Sequence, residues 1–213
     1  MAEPVIEFRQ VSLRDGARTI FQDVNLAVQA GEKLLLWGRS GSGKSSLLKM
    51  ALGLIHPGSG EVRVAGQPLD GRNVWEIRRK IGFVSQEFQF GRGLTREVLR
   101  RFGTFKANAG AQFDDEALRD MCRLLELDER LLDKPTEELS GGERQRMAIM
   151  LVLLLRRQTL LLDEVTSALD PALKQKVVRF LVDQPDRTIL AAAHDDVWLE
   201  HAQVRVVKLE ELT

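Results

Sequence analysis

The chain has one cysteine, Cys122, no tyrosine, and no excess of either charge. A lone cysteine excludes a disulfide framework and suits a reducing cytosol. Cys122 lies beside Leu118, Met121 and Leu125 in an amphipathic pattern, which predicts a packed thiol rather than a nucleophile. Lys+Arg and Asp+Glu both total 31. No net field therefore points to nucleic acid, and no such partner is expected, although a local basic face stays open. Long apolar runs are also missing. The longest, Met147 to Leu155, falls short of the roughly 20 residues that span a bilayer. Met1-Ala2-Glu3-Pro4 lacks a basic region leading into an apolar stretch, so no signal peptide is expected. A membrane, if involved, would be reached through a partner.

What is present centres on Gly38-Arg39-Ser40-Gly41-Ser42-Gly43-Lys44-Ser45. It fits G-x-x-x-x-G-K-[ST], the Walker A phosphate loop. Lys33 to Trp37 before it reads as a buried strand, and Ser45 to Leu52 after it as a helix, the context the motif requires. Glycines let the backbone approach an anion closely, and successive N–H groups form a nest at a positive helix end. Lys44 would reach the β- and γ-phosphates, and Ser45 would ligate Mg²⁺. The candidate nucleotide contacts are Gly38, Arg39, Ser40, Gly41, Ser42, Gly43, Lys44, Ser45 and Ser46. The loop alone says "nucleoside triphosphate" and does not separate a kinase, a GTPase or a motor.

Around it, Val5 to Val11 and Ile20 to Val28 read as a pair of half-buried strands, with Asp15-Gly16 turning between them. Glu61 to Val64 and Ile81 to Ser85 are further strands, and Gln67 to Arg72 is turn-rich. From Thr95 to Arg130 no strand signal occurs, and Asp114 to Leu127 reads as a helix. Strands return at Thr159 to Leu162, Thr188 to Ala192 and Val204 to Val207, with a helix from Pro171 to about Leu181. This predicts a single α/β domain over residues 1–213. It has a P-loop NTPase core with a mixed or parallel sheet, an N-terminal antiparallel β region, and an α-helical subdomain inserted at about 87–157. His56 and His201 read as solvated surface residues.

Leu160-Leu161-Leu162-Asp163-Glu164 is an apolar strand ending in two acids, as in Walker B. Asp163 would hold Mg²⁺, directly or through water, and Glu164 would orient and deprotonate the attacking water. Leu139-Ser140-Gly141-Gly142-Glu143-Arg144-Gln145-Arg146 opens another helix. Ser140 with Glu143 is a capping box. Two glycines in a first turn are costly for a helix, and make sense if another body must approach that end closely.

Here the sequence resembles the ATP-binding cassette (ABC) family. Leu139 to Arg146 is similar to its signature motif, Gln86 to its Q-loop glutamine, Ser167-Ala168-Leu169-Asp170 to its D-loop and His194 to its switch histidine. The resemblance covers nearly the whole chain. It implies ATP and Mg²⁺ as ligands and catalytic roles for Glu164, His194, Lys44 and Gln86. It adds Gln86 to Ser45 and Asp163 around the metal. It also implies a head-to-tail homodimer in which Ser140, Gly141, Gly142, Glu143 and Asp170 close on the partner's ATP.

The family's usual adenine-stacking aromatic is absent, Asp15 standing at the aligned position. Weaker ATP binding is then expected, or a base contact from Phe21 or another residue. Glu143 stands where glutamine is commonest, and Val165 where proline is usual. The reading adopted is the ATPase subunit of an ABC transporter, driving a separate membrane permease from the cytoplasmic face of the inner or plasma membrane. The expected cassette is compact, without an added regulatory domain. The alternatives are a soluble ABC protein acting on nucleic acid, ribosomes or envelope signalling, and a nucleotide switch with little turnover.

Overall fold

The computed structural model describes residues 3–212. In chain order the strands and helices are β1 (Ile6–Asp15), β2 (Arg18–Val28), β3 (Lys33–Trp37), α1 (Lys44–Ala51), β4 (Ser59–Val64), β5 (Gln67–Pro68), α2 (Val74–Lys80) and β6 (Ile81–Val84). Then come α3 (Thr95–Thr104), α4 (Asp115–Leu124), α5 (Gly141–Leu154), β7 (Thr159–Asp163), α6 (Pro171–Val182), β8 (Thr188–Ala193) and β9 (Val204–Lys208), with short 3₁₀ turns between.

Two sheets form. One is antiparallel, in the order β2-β1-β4-β5, and the other has the order β6-β7-β8-β3-β9 with every pairing parallel. The α/β expectation with an N-terminal antiparallel region is borne out. The central strands β7 and β8 are buried along their whole length because both faces of the sheet are covered there, whereas the edge strand β9 is largely exposed. Side chains alternate between faces along a strand. Leu34 and Leu36 of β3, Leu161 of β7 and Leu190 and Ala192 of β8 share one core with α1 and the antiparallel sheet. Leu35, Leu160, Leu162, Ile189 and Ala191 point the other way, into a core built with α4, α5 and α6.

Between β6 and β7 the described chain contains helices, turns and one isolated antiparallel bridge, Leu94 to Pro135, but no strand. Helix α4 is capped by Asp114, whose side chain accepts from the Ala117 N–H, and it buries Leu118 and Cys122. Helix α5 is buried continuously from Met147 to Leu154 and packs on β6. Thus the longest apolar run is a core helix, and among the described residues no helix is long and apolar enough to cross a membrane.

Helix α2 has no counterpart in the sequence reading. It buries only Ile77 and leaves Trp75 two-thirds exposed, so it carries no apolar stripe for periodicity to detect. Its position is set by Arg78, which donates to the carbonyls of Leu52 and Gly53 at the end of α1. The His201 expectation is corrected. The residue is half-buried, with Nε2 out of contact with solvent. His56 is exposed, as expected.

Candidate active site

The three segments that carry the candidate site residues of the phosphate loop, Asp163-Glu164 and His194 leave the C-terminal ends of β3, β7 and β8, which lie side by side. The register pairs Trp37 with Ala193 and Asp163 with Ala192. Every side chain that follows those strands is therefore delivered to one edge of the sheet.

After β3 the phosphate loop turns through Gly41 and Gly43, at φ 77° and 99°. Gly43 is required on two counts. Its φ is one that side-chain-bearing residues rarely adopt, and a Cβ there would lie 2.7 Å from Ile20 Cγ2 and 2.8 Å from Phe21 Cδ1. A Cβ on Gly41 would meet nothing within 4 Å, so that side of the loop is open. Helix α1 starts without a side-chain cap, which leaves its first N–H groups directed outward for an anion. Lys44 is buried, and its Nζ donates to the carbonyls of Gly38 and Arg39 at 2.8 and 2.9 Å. Ser42 Oγ is buried without a hydrogen-bond partner.

Phe21 packs beneath Gly43 in the core. That corrects the expectation of a base contact from Phe21, because its ring is covered. Asp15 is exposed at the end of β1.

At the tip of β7, Asp163 is buried and accepts a 2.7 Å hydrogen bond from Ser45 Oγ. Burial pushes its carboxyl above the ordinary carboxylate range, with the Ser45 bond pulling the other way. A hydroxyl and a carboxylate at bonding distance are hard oxygen donors of the kind Mg²⁺ takes alongside phosphate oxygens, so the donor set fits that ion.

Glu164 follows with φ 52°, a costly conformation for a residue with a side chain. Its backbone is held on all sides. The N–H donates to Ala192 O at 2.8 Å, and the carbonyl accepts from Gln145 Nε2 at 3.0 Å and Ser167 Oγ at 2.8 Å. The side chain is 11% exposed, and its Oε2 lies 2.8 Å from His194 Nδ1. That contact is close but not aligned as a hydrogen bond, and Oε2 is otherwise unpartnered. His194 is itself mostly exposed.

Ser140 caps α5 in a reciprocal capping box with Glu143. The Ser140 N–H donates to Glu143 Oε2 at 2.8 Å, and this hydrogen bond holds the Glu143 carboxyl below its usual range. Ser140 and Gly141 are exposed, and no hydrogen bond among the described residues joins Ser140 to the phosphate loop. Gln86 and Phe88 line a recess of about 450 Å³ with Gly141, Gly142 and Gln145. Gln86 is exposed and is not brought to Ser45 or Asp163 by any hydrogen bond of the described residues. Asp170 caps α6, accepting from the N–H groups of Ala172 and Leu173 at 3.1 Å.

Three residues near this edge escaped the sequence reading. Thr166 Oγ1 donates to Asp195 Oδ2 at 2.6 Å, and Lys174 Nζ pairs with Asp195 Oδ1 at 2.5 Å. Burial raises the Asp195 pKa, but the bonds from Lys174 and Thr166 outweigh it and hold the carboxyl below the ordinary range. The available signal was a carboxylate directly after the apolar run 189–193 and His194.

A phosphate loop joined by the Ser45–Asp163 bond to the acidic tip of β7, across β8 from β3, defines the molecule as a P-loop nucleotide-hydrolysing cassette. The ABC transporter family model matches residues 21–167, and the chain belongs to that family. It is 36% identical over 202 residues to the energy-coupling factor transporter ATP-binding protein EcfA1 of Geobacillus kaustophilus, covering 92% of this chain and 72% of the relative. Among solved structures it is similar to the ATP-binding cassette MJ0796, dimeric in a post-hydrolysis state with ADP and Pi. The TM-score is 0.79 at 29% identity, over 96% of this chain and 94% of that one. It is also similar to cbiO1 from Clostridium perfringens, part of the ABC transporter complex cbiONQ. There the TM-score is 0.74 at 26% identity, over 98% and 86% of the two chains.

Proposed function

We propose that this chain is the ATP-binding and ATP-hydrolysing subunit of an ABC transporter, powering a separate membrane permease through ATP-dependent dimerisation. The observation that carries the reading is the buried Glu164 carboxylate beside His194, one residue from the Ser45–Asp163 pair. Gly38 to Ser46 would wrap the phosphates, with Lys44 exchanging its two carbonyl partners for β- and γ-phosphate oxygens. Ser45 and Asp163, joined by Gln86 once the recess closes, would hold Mg²⁺. When bound, that ion neutralises charge on the phosphate oxygens. Glu164 would accept the proton of the attacking water. His194 would orient that carboxylate and reach the γ-phosphate.

Ser140, Gly141, Gly142, Glu143 and Asp170 would complete the site of a second copy. The exposed Ser140 and Gly141 support this arrangement, since both face outward and a Cβ on Gly141 would meet nothing within 4 Å. Residues 87–157 would act as a helical lobe pivoting near Gln86 and rooted by α5. The cassette would sit peripherally on the cytoplasmic face of the membrane, against its permease. The test is Mg²⁺-dependent ATP turnover by the purified chain and its loss in Glu164→Gln. Unchanged turnover in that variant would remove Glu164 from its role.

A further inference from the structure

His194 and Glu164 must keep a fixed spacing for the proposed chemistry, yet neither side chain secures it. Their contact is misaligned as a hydrogen bond, and the His194 ring is 62% exposed. The spacing must therefore come from the backbone on either side. Up to the strand ends it is set by the β7–β8 register and by the Glu164 N–H to Ala192 bond. Beyond them, one side-chain hydrogen bond among the described residues joins the two loops. Thr166, fully buried two residues past Glu164, donates to Asp195, the residue after His194. The second Asp195 oxygen takes Lys174 of α6, whose own N–H bonds to the carbonyl of Asp170.

We propose that Thr166, Asp195 and Lys174 form a positioning clamp that sets the Glu164–His194 geometry and ties both ends of the 167–170 turn to it. The proposal rests on the catalytic reading of Glu164 and His194 given above. The clamp has the properties of a rigid spacer. Both carboxylate oxygens are used, and the side chains of Lys174 and Asp195 are only 20% and 13% exposed. The charge pair is thus shielded from the screening that weakens exposed pairs. Removing the Asp195 charge leaves the Lys174 ammonium with no counter-charge in the clamp, and removing the Thr166 hydroxyl leaves Asp195 Oδ2 without its donor. The bland alternative is a buried ion pair that only stabilises the fold. Such a pair would move stability and nucleotide affinity together with rate, whereas a positioning device acts on the chemical step.

The experiment compares Thr166→Val, Thr166→Ser, Asp195→Asn and Glu164→Gln in the full chain, measuring kcat, the equilibrium affinity for ATP and the melting temperature. Thr166→Val keeps the shape and loses the hydroxyl, while Thr166→Ser keeps the hydroxyl. The expected result is a kcat about tenfold or more lower in Thr166→Val and Asp195→Asn, since small misplacements of reacting groups are costly. ATP affinity should stay within about twofold, and Thr166→Ser should turn over like the wild type. Wild-type kcat in Thr166→Val and Asp195→Asn, with Glu164→Gln inactive, overturns the clamp and leaves the catalytic reading standing. Losses of rate that track equal losses of affinity and melting temperature, or a Thr166→Ser as slow as Thr166→Val, also overturn it. Wild-type turnover in Glu164→Gln overturns both.

Discussion

Ser45 Oγ donates a 2.7 Å hydrogen bond to Oδ1 of Asp163 across 118 residues of sequence. It joins the start of α1 to the tip of β7 and brings the phosphate loop to the acidic strand end. Asp163 is buried there with a raised pKa. A carboxyl raised on folding binds its proton more tightly folded than unfolded. It therefore supports the fold at low pH and costs stability as pH rises past its unfolded value of about 3.9. Asp163→Asn keeps an acceptor for Ser45 and removes the charge. At pH 7 in chelator the variant should melt higher than the wild type. The gain should shrink as pH falls toward about 4, and ATP turnover should be lost. Thermal melts from pH 4 to 8 check this, and an equal or lower melting temperature at pH 7 would count against it.

Glu164→Gln should bind ATP and turn over about 10²–10⁴-fold more slowly, the usual worth of base assistance. Glutamine preserves a polar group beside His194 without accepting a proton. Single-turnover hydrolysis with bound ATP separates this loss from any loss of binding.

The exposed Ser140 end of α5 predicts an ATP-dependent dimer. Glu164→Gln with ATP should scatter light at twice the monomer mass, and adding Ser140→Arg should return it to the monomer. Losing the cap costs about 1 kcal/mol, which the continuous burial from Met147 to Leu154 can absorb. A dimer indifferent to ATP and to Ser140 would contradict the arrangement.

Phe88 and Phe90 pair edge to face at 4.8 Å and rest half-buried on the larger core. Each ring is therefore partly committed to the cassette and partly exposed, and the exposed part is expected to dock the membrane partner. Replacing either by alanine should lower stability by roughly 1 kcal/mol, the scale of an aromatic pair, while leaving soluble ATPase activity intact. Co-purification with the membrane partner should fall. Normal partner binding by both variants would rule the segment out as a docking site.

Cys122 is buried, and burial pushes its thiol up to about 11, with Glu129 adding to the rise. It should resist a thiol reagent such as Ellman's at pH 8 until the chain is denatured, then react as one equivalent. Rapid native labelling would place the thiol elsewhere than in the α4 core.

The chain's local chemistry was open to reading because it is contiguous. Strand, glycine loop and helix follow one another at the phosphate loop. Ser140 and Glu143 are three residues apart, and β7 runs straight into its carboxylates. Apolar period and residue type suffice for such features. Helix α2 was not legible, because only Ile77 of it is buried. The burial of Phe21 was not legible either, because it depends on where the phosphate loop comes to rest over β2. The contacts that assemble the site belong to tertiary structure alone. Ser45 meets Asp163, Glu164 meets His194, and Thr166 meets Asp195, because β3, β7 and β8 align in parallel register and release their loops at the same edge. Sequence by itself determined which residue types were available and on which local element. Which of them came within bonding distance was decided by strand order and register, since strands buried on both faces read as continuous apolar runs with no alternation to mark their alignment.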